Sequence, residues 1–279
     1  MNVLNKIKSE SVISIDIETV RIVENFEDLD EGTQSAWEYK NKQDGEVPDF
    51  DTLSELWTKT SSLYPEFSKI CAVSMTFLHN RELYCKEFYG ENEVEILENV
   101  LIMLDNISNK SSENRLIGHA AKYFDYPFLA KRFIINGMDI PQMIDNTDMK
   151  PWLQTNLCTN ELWRAGGTGP GSSLQALCNV LQIPVSKVDL VGDGVGKAYY
   201  DKEFERIGRY CSYDAIATFN ILRKFKKEEI FSFDDVKYIQ EKKKKEEINP
   251  LKKLYEIDYL SDDIKESFVE NRRVLAVLA

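Results

Sequence analysis

The sequence predicts an α/β fold, with helices packed on a mixed β-sheet. Three observations predict it: a first apolar strand, a pair of apolar runs at 69–78 and 82–90 joined by a short polar link, and a later alternation of strand and helix patterns. With 279 residues, 43% hydrophobic and 11% aromatic, the chain can bury a sizeable core in one large domain, or one domain with an appendage.

The elements follow in order. "VISIDIETV" (12–20) reads as a strand with Ile13, Ile15 and Ile17 on one face. An acidic stretch from about 19 to 66 has little strand periodicity and is expected to be a helical or irregular surface insertion. "KICAVSMTFL" and "ELYCKEFYG" around "HNR" form a hairpin pattern. Residues 91–107 place apolar side chains at helical spacing, with acids early, where the helix dipole favours them. "RLIGH" (115–119) is a short strand. "DYPFLAKRFIINGMDIP" (125–141) is a helix with Asp125 at a candidate N-cap, Pro127 in the first turn and Gly137 near its stop. Residues 172–184 repeat that pattern, and 202–229 is the longest helix. The main domain is expected over 1–229, with a helical C-terminal extension over 230–279 that offers a surface to a protein partner.

Composition excludes several classes. No apolar run reaches the roughly 18 residues of a membrane span, and "MNVLNKIKSE" lacks a signal-peptide core, so an intracellular, cytoplasmic protein is expected, with no membrane partner. Five scattered cysteines without C-x-x-C spacing fit reduced thiols, and two histidines cannot make a histidine-rich metal site. A metal here needs oxygen ligands. The net charge of −12 argues against salt-driven wrapping of a duplex, but not against nucleic acid held locally through metal ions.

The candidate site rests on acids in unusual places. Asp16 and Glu18 share one face of the first strand, roughly 7 Å apart, where a divalent cation would compensate their repulsion and lost solvation; a solvent-exposed face is the alternative. Asp125 opens a helix, where an N-cap role alone would account for it. Tyr210 and Asp214 lie one helical turn apart on a face whose neighbours Ile207, Cys211 and Thr218 are apolar or small, so the pair points at the sheet. A core tyrosine satisfied by the aspartate is the plainer reading of that pair.

In order and spacing, "SIDIET", "GHAAKYFDYPFLAKRFIINGMDIP" and "YCSYDAIAT" resemble the three motifs of the DEDD 3′-to-5′ exonucleases of ribonuclease H-like fold, in the branch ending Tyr-x-x-x-Asp. The resemblance runs from about residue 11 to 225 and is nearest to predicted exonucleases related to the proofreading domain of family B DNA polymerases. It implies two divalent cations, Mg²⁺ or Mn²⁺. Asp16 would bridge both, Glu18 and Asp214 would complete the site of the attacking water, and Asp125 would hold the second ion through water. Tyr210 would orient the attacking water. The resemblance further implies substrate contacts at Thr19, Lys122, Tyr123 and Phe124, with the two aromatic rings as stacking candidates for a single-stranded DNA 3′ end. Two departures stand out. Ala120 occupies the place where such motifs commonly read G-H-N, and Cys158 in "LCTNELW" replaces an acid. An RNA 3′-end nuclease and a non-catalytic nucleic-acid or protein-binding module on the same fold remain open at this point.

Overall fold

The computed structural model describes residues 3–150, 153–184, 190 and 192–239. Its centre is a six-stranded sheet built from β1 (Val12–Arg21), β2 (Ser68–His79), β3 (Glu82–Tyr89), β4 (Arg115–Gly118), β5 (Leu157–Cys158) and β6 (Lys237–Ile239), in the order β5-β4-β1-β2-β3-β6. The strands β1, β2 and β3 pair antiparallel, while β4 joins β1, β5 joins β4 and β6 joins β3 in parallel. The sheet is therefore mixed, as the sequence predicts.

Alternation along β1 divides its side chains between two cores. Ile13, Ile15 and Ile17 join Val73 and Met75 on the face covered by α3 (Glu93–Lys110) and α4 (Asp125–Ile135). Val20 and the other face meet α8 (Phe204–Lys226), whose Ile207, Cys211, Ala215 and Ile216 are buried. Gly208 makes this close seat feasible: a Cβ there would stand 2.2 Å from the Tyr89 ring. The helix would have to lift or the ring to move.

The acidic insertion is helical, one of the two forms expected of it, and in addition has a core of its own. It folds as α1 (Glu31–Lys40) and α2 (Phe50–Thr60), each opened by an aspartate cap, Asp30 and Asp49, around a core of Phe26, Trp37, Leu53, Trp57 and Phe67. Trp37 and Trp57 are fully buried, and their indole N–H groups donate to the carbonyls of Leu53 and Val23, both at 3.2 Å. The acids lie outside and the aromatics inside. A buried pair ties the insertion to the main domain. Arg132 donates to Glu93 from Nε at 2.8 Å and to the Pro65 carbonyl from Nη1 at 2.7 Å, while Glu93 also accepts the Ile70 N–H at 2.7 Å. Satisfied on every side, this ion pair fixes where the insertion rejoins the sheet.

Residues 230–239, expected to begin a helical extension, stay with the domain instead. Asn220 bonds both the N–H and the C=O of Phe231 at 3.0 Å, Val236 packs with Leu78, Leu83 and Phe219, and β6 pairs with β3. The compact unit accordingly runs to Ile239 rather than 229. The remainder of the expected extension, with its protein-partner surface, lies outside the described residues. Among the described residues, no helix is long and apolar enough to cross a membrane.

Candidate active site

The site is assembled where β1, the turn after β4, and α8 converge. Asp16 and Glu18 leave β1 on the face opposite the isoleucines, toward α8. Opposite them β2 carries a bulge. Glu18 pairs with Ala72 and Thr19 with Ile70, which leaves Cys71 as the extra residue. The Cys71 thiol donates to the Glu18 carbonyl at 3.4 Å and the Cys211 thiol to the Asp16 carbonyl at 3.3 Å, so the backbone of both acids is held from behind. One helical turn of α8 brings Asp214 over this face, with one oxygen each of Asp16, Glu18 and Asp214 within 4.8 Å of one another. The Tyr210 hydroxyl donates to the Asp214 carboxylate.

Asp125 arrives from a different element. After Gly118 the chain turns sharply, and a Cβ on Gly118 would stand 2.3 Å from that of Ala121 and 3.1 Å from the Ile15 carbonyl, so the turn needs glycine. Past the end of β4, the Ile17 N–H has no strand partner on that side and donates to the Asp125 carboxylate. Asp125 is therefore an inward-facing acid, 5% exposed, and not the N-cap: Phe124 holds that position without a side-chain cap bond.

Ala120 adopts φ of 60°, in the left-handed region where asparagine and glycine are at home and alanine is strained. Ala120→Gly is expected to raise stability by about 1 kcal/mol, a rise in melting temperature of about 2–4 °C, which a thermal melt reads directly. Ala120→Asn should recover part of that gain.

Electrostatics mark these acids as uncompensated. Burial first, then the charges of Asp214, Asp125 and Glu18, hold the Asp16 carboxyl well above the ordinary carboxylate range. Glu18 is raised by burial, then by Asp214 and Asp125. Burial pushes Asp125 up to about 7 against the opposing pull of its backbone donors, and Asp214 up to about 6 against the Tyr210 hydroxyl. Among the described residues, no ion pair reaches any of the four. Crowded carboxylate oxygens with no cation among them are the donor set that hard divalent ions prefer. The residues present fit the metals that the sequence motifs imply.

The expected substrate residues meet different fates. Thr19 spends its hydroxyl on the Ser62 carbonyl at 2.7 Å, joining β1 to the insertion. Lys122 is paired with Glu161 at 2.7 Å and is largely covered. Phe124 is half-buried and packs on Phe128, with ring centres 5.2 Å apart. Tyr123 alone of these is well exposed, at 61%, and its hydroxyl donates to Glu161 at 3.0 Å. Glu161, in α5 (Thr159–Arg164), is the member that sequence reasoning passed over. The only signal was its place in "TNELW", whose register against the Asp125 turn is visible only in three dimensions.

The fold is a six-stranded mixed sheet flanked by helices, with acids converging at its centre. The chain belongs to the family described as predicted 3′-5′ exonucleases related to the exonuclease domain of PolB, whose profile matches residues 61–256. That span contains Asp125, Tyr210 and Asp214 but not β1, so Asp16 and Glu18 enter the site on geometry. The chain is similar to the family B DNA polymerase from the hyperthermophilic archaeon Pyrobaculum calidifontis, with 14% identity and a TM-score of 0.45, over 77% of this chain and 24% of the polymerase. It thus spans about a quarter of that protein. No curated protein matches the sequence.

Proposed function

We propose that the protein is a metal-dependent 3′-5′ exonuclease that hydrolyses single-stranded DNA ends to nucleoside 5′-monophosphates. The observation that carries this reading is the convergence of Asp16, Glu18 and Asp214, half-buried, with one oxygen of each within 4.8 Å of the others. Asp16, Glu18 and Asp214 would hold one Mg²⁺ or Mn²⁺, and Asp16 with Asp125 a second. Bound there, the ions supply Lewis acidity and charge neutralisation to a phosphodiester.

The chain's own groups do the rest. The Tyr210 phenol, its proton affinity raised by burial and then by Asp214, Glu18 and Asp16, stays neutral at working pH. With its one proton given to Asp214, its oxygen can accept a hydrogen bond that orients an attacking water. Water adds at phosphorus as the 3′ oxygen of the shortened strand departs, leaving the phosphate on the released nucleotide. The family's relation to PolB supports DNA as the substrate.

The test is digestion of 5′-labelled single-stranded DNA and RNA of one sequence with Mn²⁺. A ladder shortening from the 3′ end of the DNA is expected; intact DNA with folded protein would sink the reading, and faster loss of the RNA would reassign the substrate. Tyr210→Phe is expected to lower kcat about 10–100-fold with little change in KM, measured in the same assay.

A further inference from the structure

A second polar cluster borders the turn that leads into Asp125. Lys122 and Tyr123 both bind Glu161, so the charges of Lys122 and Glu161 cancel. Arg164, three residues further along α5, is different. Its guanidinium carbon lies 5.8 Å from the Tyr123 ring centre, its Nε is buried with no hydrogen-bond partner, and among the described residues no acid pairs with it.

Immediately after Arg164 comes the loop 165–173, "AGGTGPGSS", exposed over 165–171 and without an ionisable side chain. Its far end is pinned. The His119 ring bonds the Ser172 carbonyl through Nε2 and the Thr159 hydroxyl through Nδ1, both at 2.8 Å, and Asn160 accepts the Ser172 N–H at 2.8 Å. Since a carbonyl can only accept, Nε2 carries the proton and Nδ1 receives the Thr159 hydroxyl in the neutral ring. The loop then enters α6 (Leu174–Leu181), whose Leu177 and Cys178 pack with Ala217 and Ile221 of α8, on the stretch that follows Asp214. The loop therefore runs from the Asp125 flank of the acidic centre to the Asp214 flank, with Arg164 at its start.

We propose that Arg164, with the exposed ring of Tyr123 beside it, is the seat for a backbone phosphate of the nucleic-acid strand upstream of the bond being cut. This rests on the exonuclease reading and adds to it the place where the strand is held. A protein of net charge −12 with four acids at its centre needs a local cation to hold a polyanion, and a guanidinium that no acid pairs with among the described residues supplies one. Its planar fork suits a phosphate oxygen pair, the tyrosine ring offers a stacking face, and glycines let the strand come close.

The experiment compares wild type, Arg164→Gln and Arg164→Lys, each checked by thermal melting. Arg164→Gln is expected to raise KM for single-stranded DNA about tenfold with kcat within about twofold. Binding is read separately by fluorescence anisotropy in an Asp16→Asn background, where the slope of log affinity against log salt should fall by about 0.7 for the glutamine variant and be restored by lysine. Single methylphosphonate linkages walked along the strand should find one position that weakens wild type and leaves Arg164→Gln indifferent. Equal salt slopes, or the same methylphosphonate penalties in both proteins, overturn the seat. Should Arg164→Gln fail to fold, the scan on wild type against Arg164→Lys decides: the same penalties in both proteins, or no sensitive position at all, overturn it. DNA left intact by wild type overturns the exonuclease reading itself; cleavage by wild type with an unchanged Arg164→Gln overturns only the seat.

Discussion

Asp16→Asn is expected to lower the rate of 3′-end digestion by at least about 10³-fold while making the metal-free protein more resistant to heat at neutral pH. The two effects have one cause. Asp16 sits at the middle of the acidic cluster, where burial and then Asp214, Asp125 and Glu18 all penalise its ionised form. Asparagine keeps the shape, and the Cys211 thiol bonds the backbone carbonyl, so that support survives. What is lost is a negative charge that the folded state accommodates poorly and a divalent cation would require. An acid retained for packing behaves the other way: its removal costs stability and leaves turnover alone. Parallel thermal melts with EDTA and digestion assays with Mn²⁺ separate the cases, since loss of activity together with loss of stability would point to a damaged fold rather than a missing ligand.

How much of this could be read from the chain differs from element to element. Residues Ile13, Ile15 and Ile17 against Asp16 and Glu18 are a period-two pattern, and Tyr210 with Asp214 is a one-turn pair, so strand and helix geometry alone predict which face each presents. Such local rules survive folding because β1 is central and α8 is long. The insertion's core was opaque for a physical reason. Trp37 and Trp57 pack edge to face at 5.2 Å, and their indoles bond carbonyls far along the chain, yet α1 has weak amphipathic patterning and its acids dominate the sequence. The role of Asp125 was half legible. Its place at a helix start is local, whereas its inward turn depends on β4 ending early and leaving the Ile17 N–H to be met. Phe124 and Tyr123 are adjacent aromatics that sequence treats alike; packing sends one toward Phe128 and leaves the other in solvent. The bulge at Cys71 and the pairing of Glu161 with Lys122 arise from register and tertiary contact, for which a single sequence has no periodic signal.

The second large effect concerns pH and metal together, and its sign follows from the direction of the shifts. Asp125 at about 7 and Asp214 at about 6 both hold protons more tightly folded than in the unfolded chain, where the ordinary value is 3.8. An acid raised in this way costs nothing below about pH 4, where both states are protonated. The cost grows as pH rises and is complete above the folded value. Metal-free protein should therefore lose stability from these groups between about pH 4 and pH 7. A divalent cation bound by the ionised acids reverses the trend. With Mn²⁺ at about 100-fold its dissociation constant, the melting temperature near pH 8 is expected to rise by about 5–10 °C. Near pH 5, where Asp125 and Asp214 still keep their protons, binding must expel them and the rise should be clearly smaller. Titration calorimetry in buffers of different ionisation heat should accordingly find protons released at the lower pH and few at the higher. A melting temperature that ignores Mn²⁺ at both pH values, or a larger rise under acid conditions, would mean that these carboxylates keep their charge by other means and do not form a cation site.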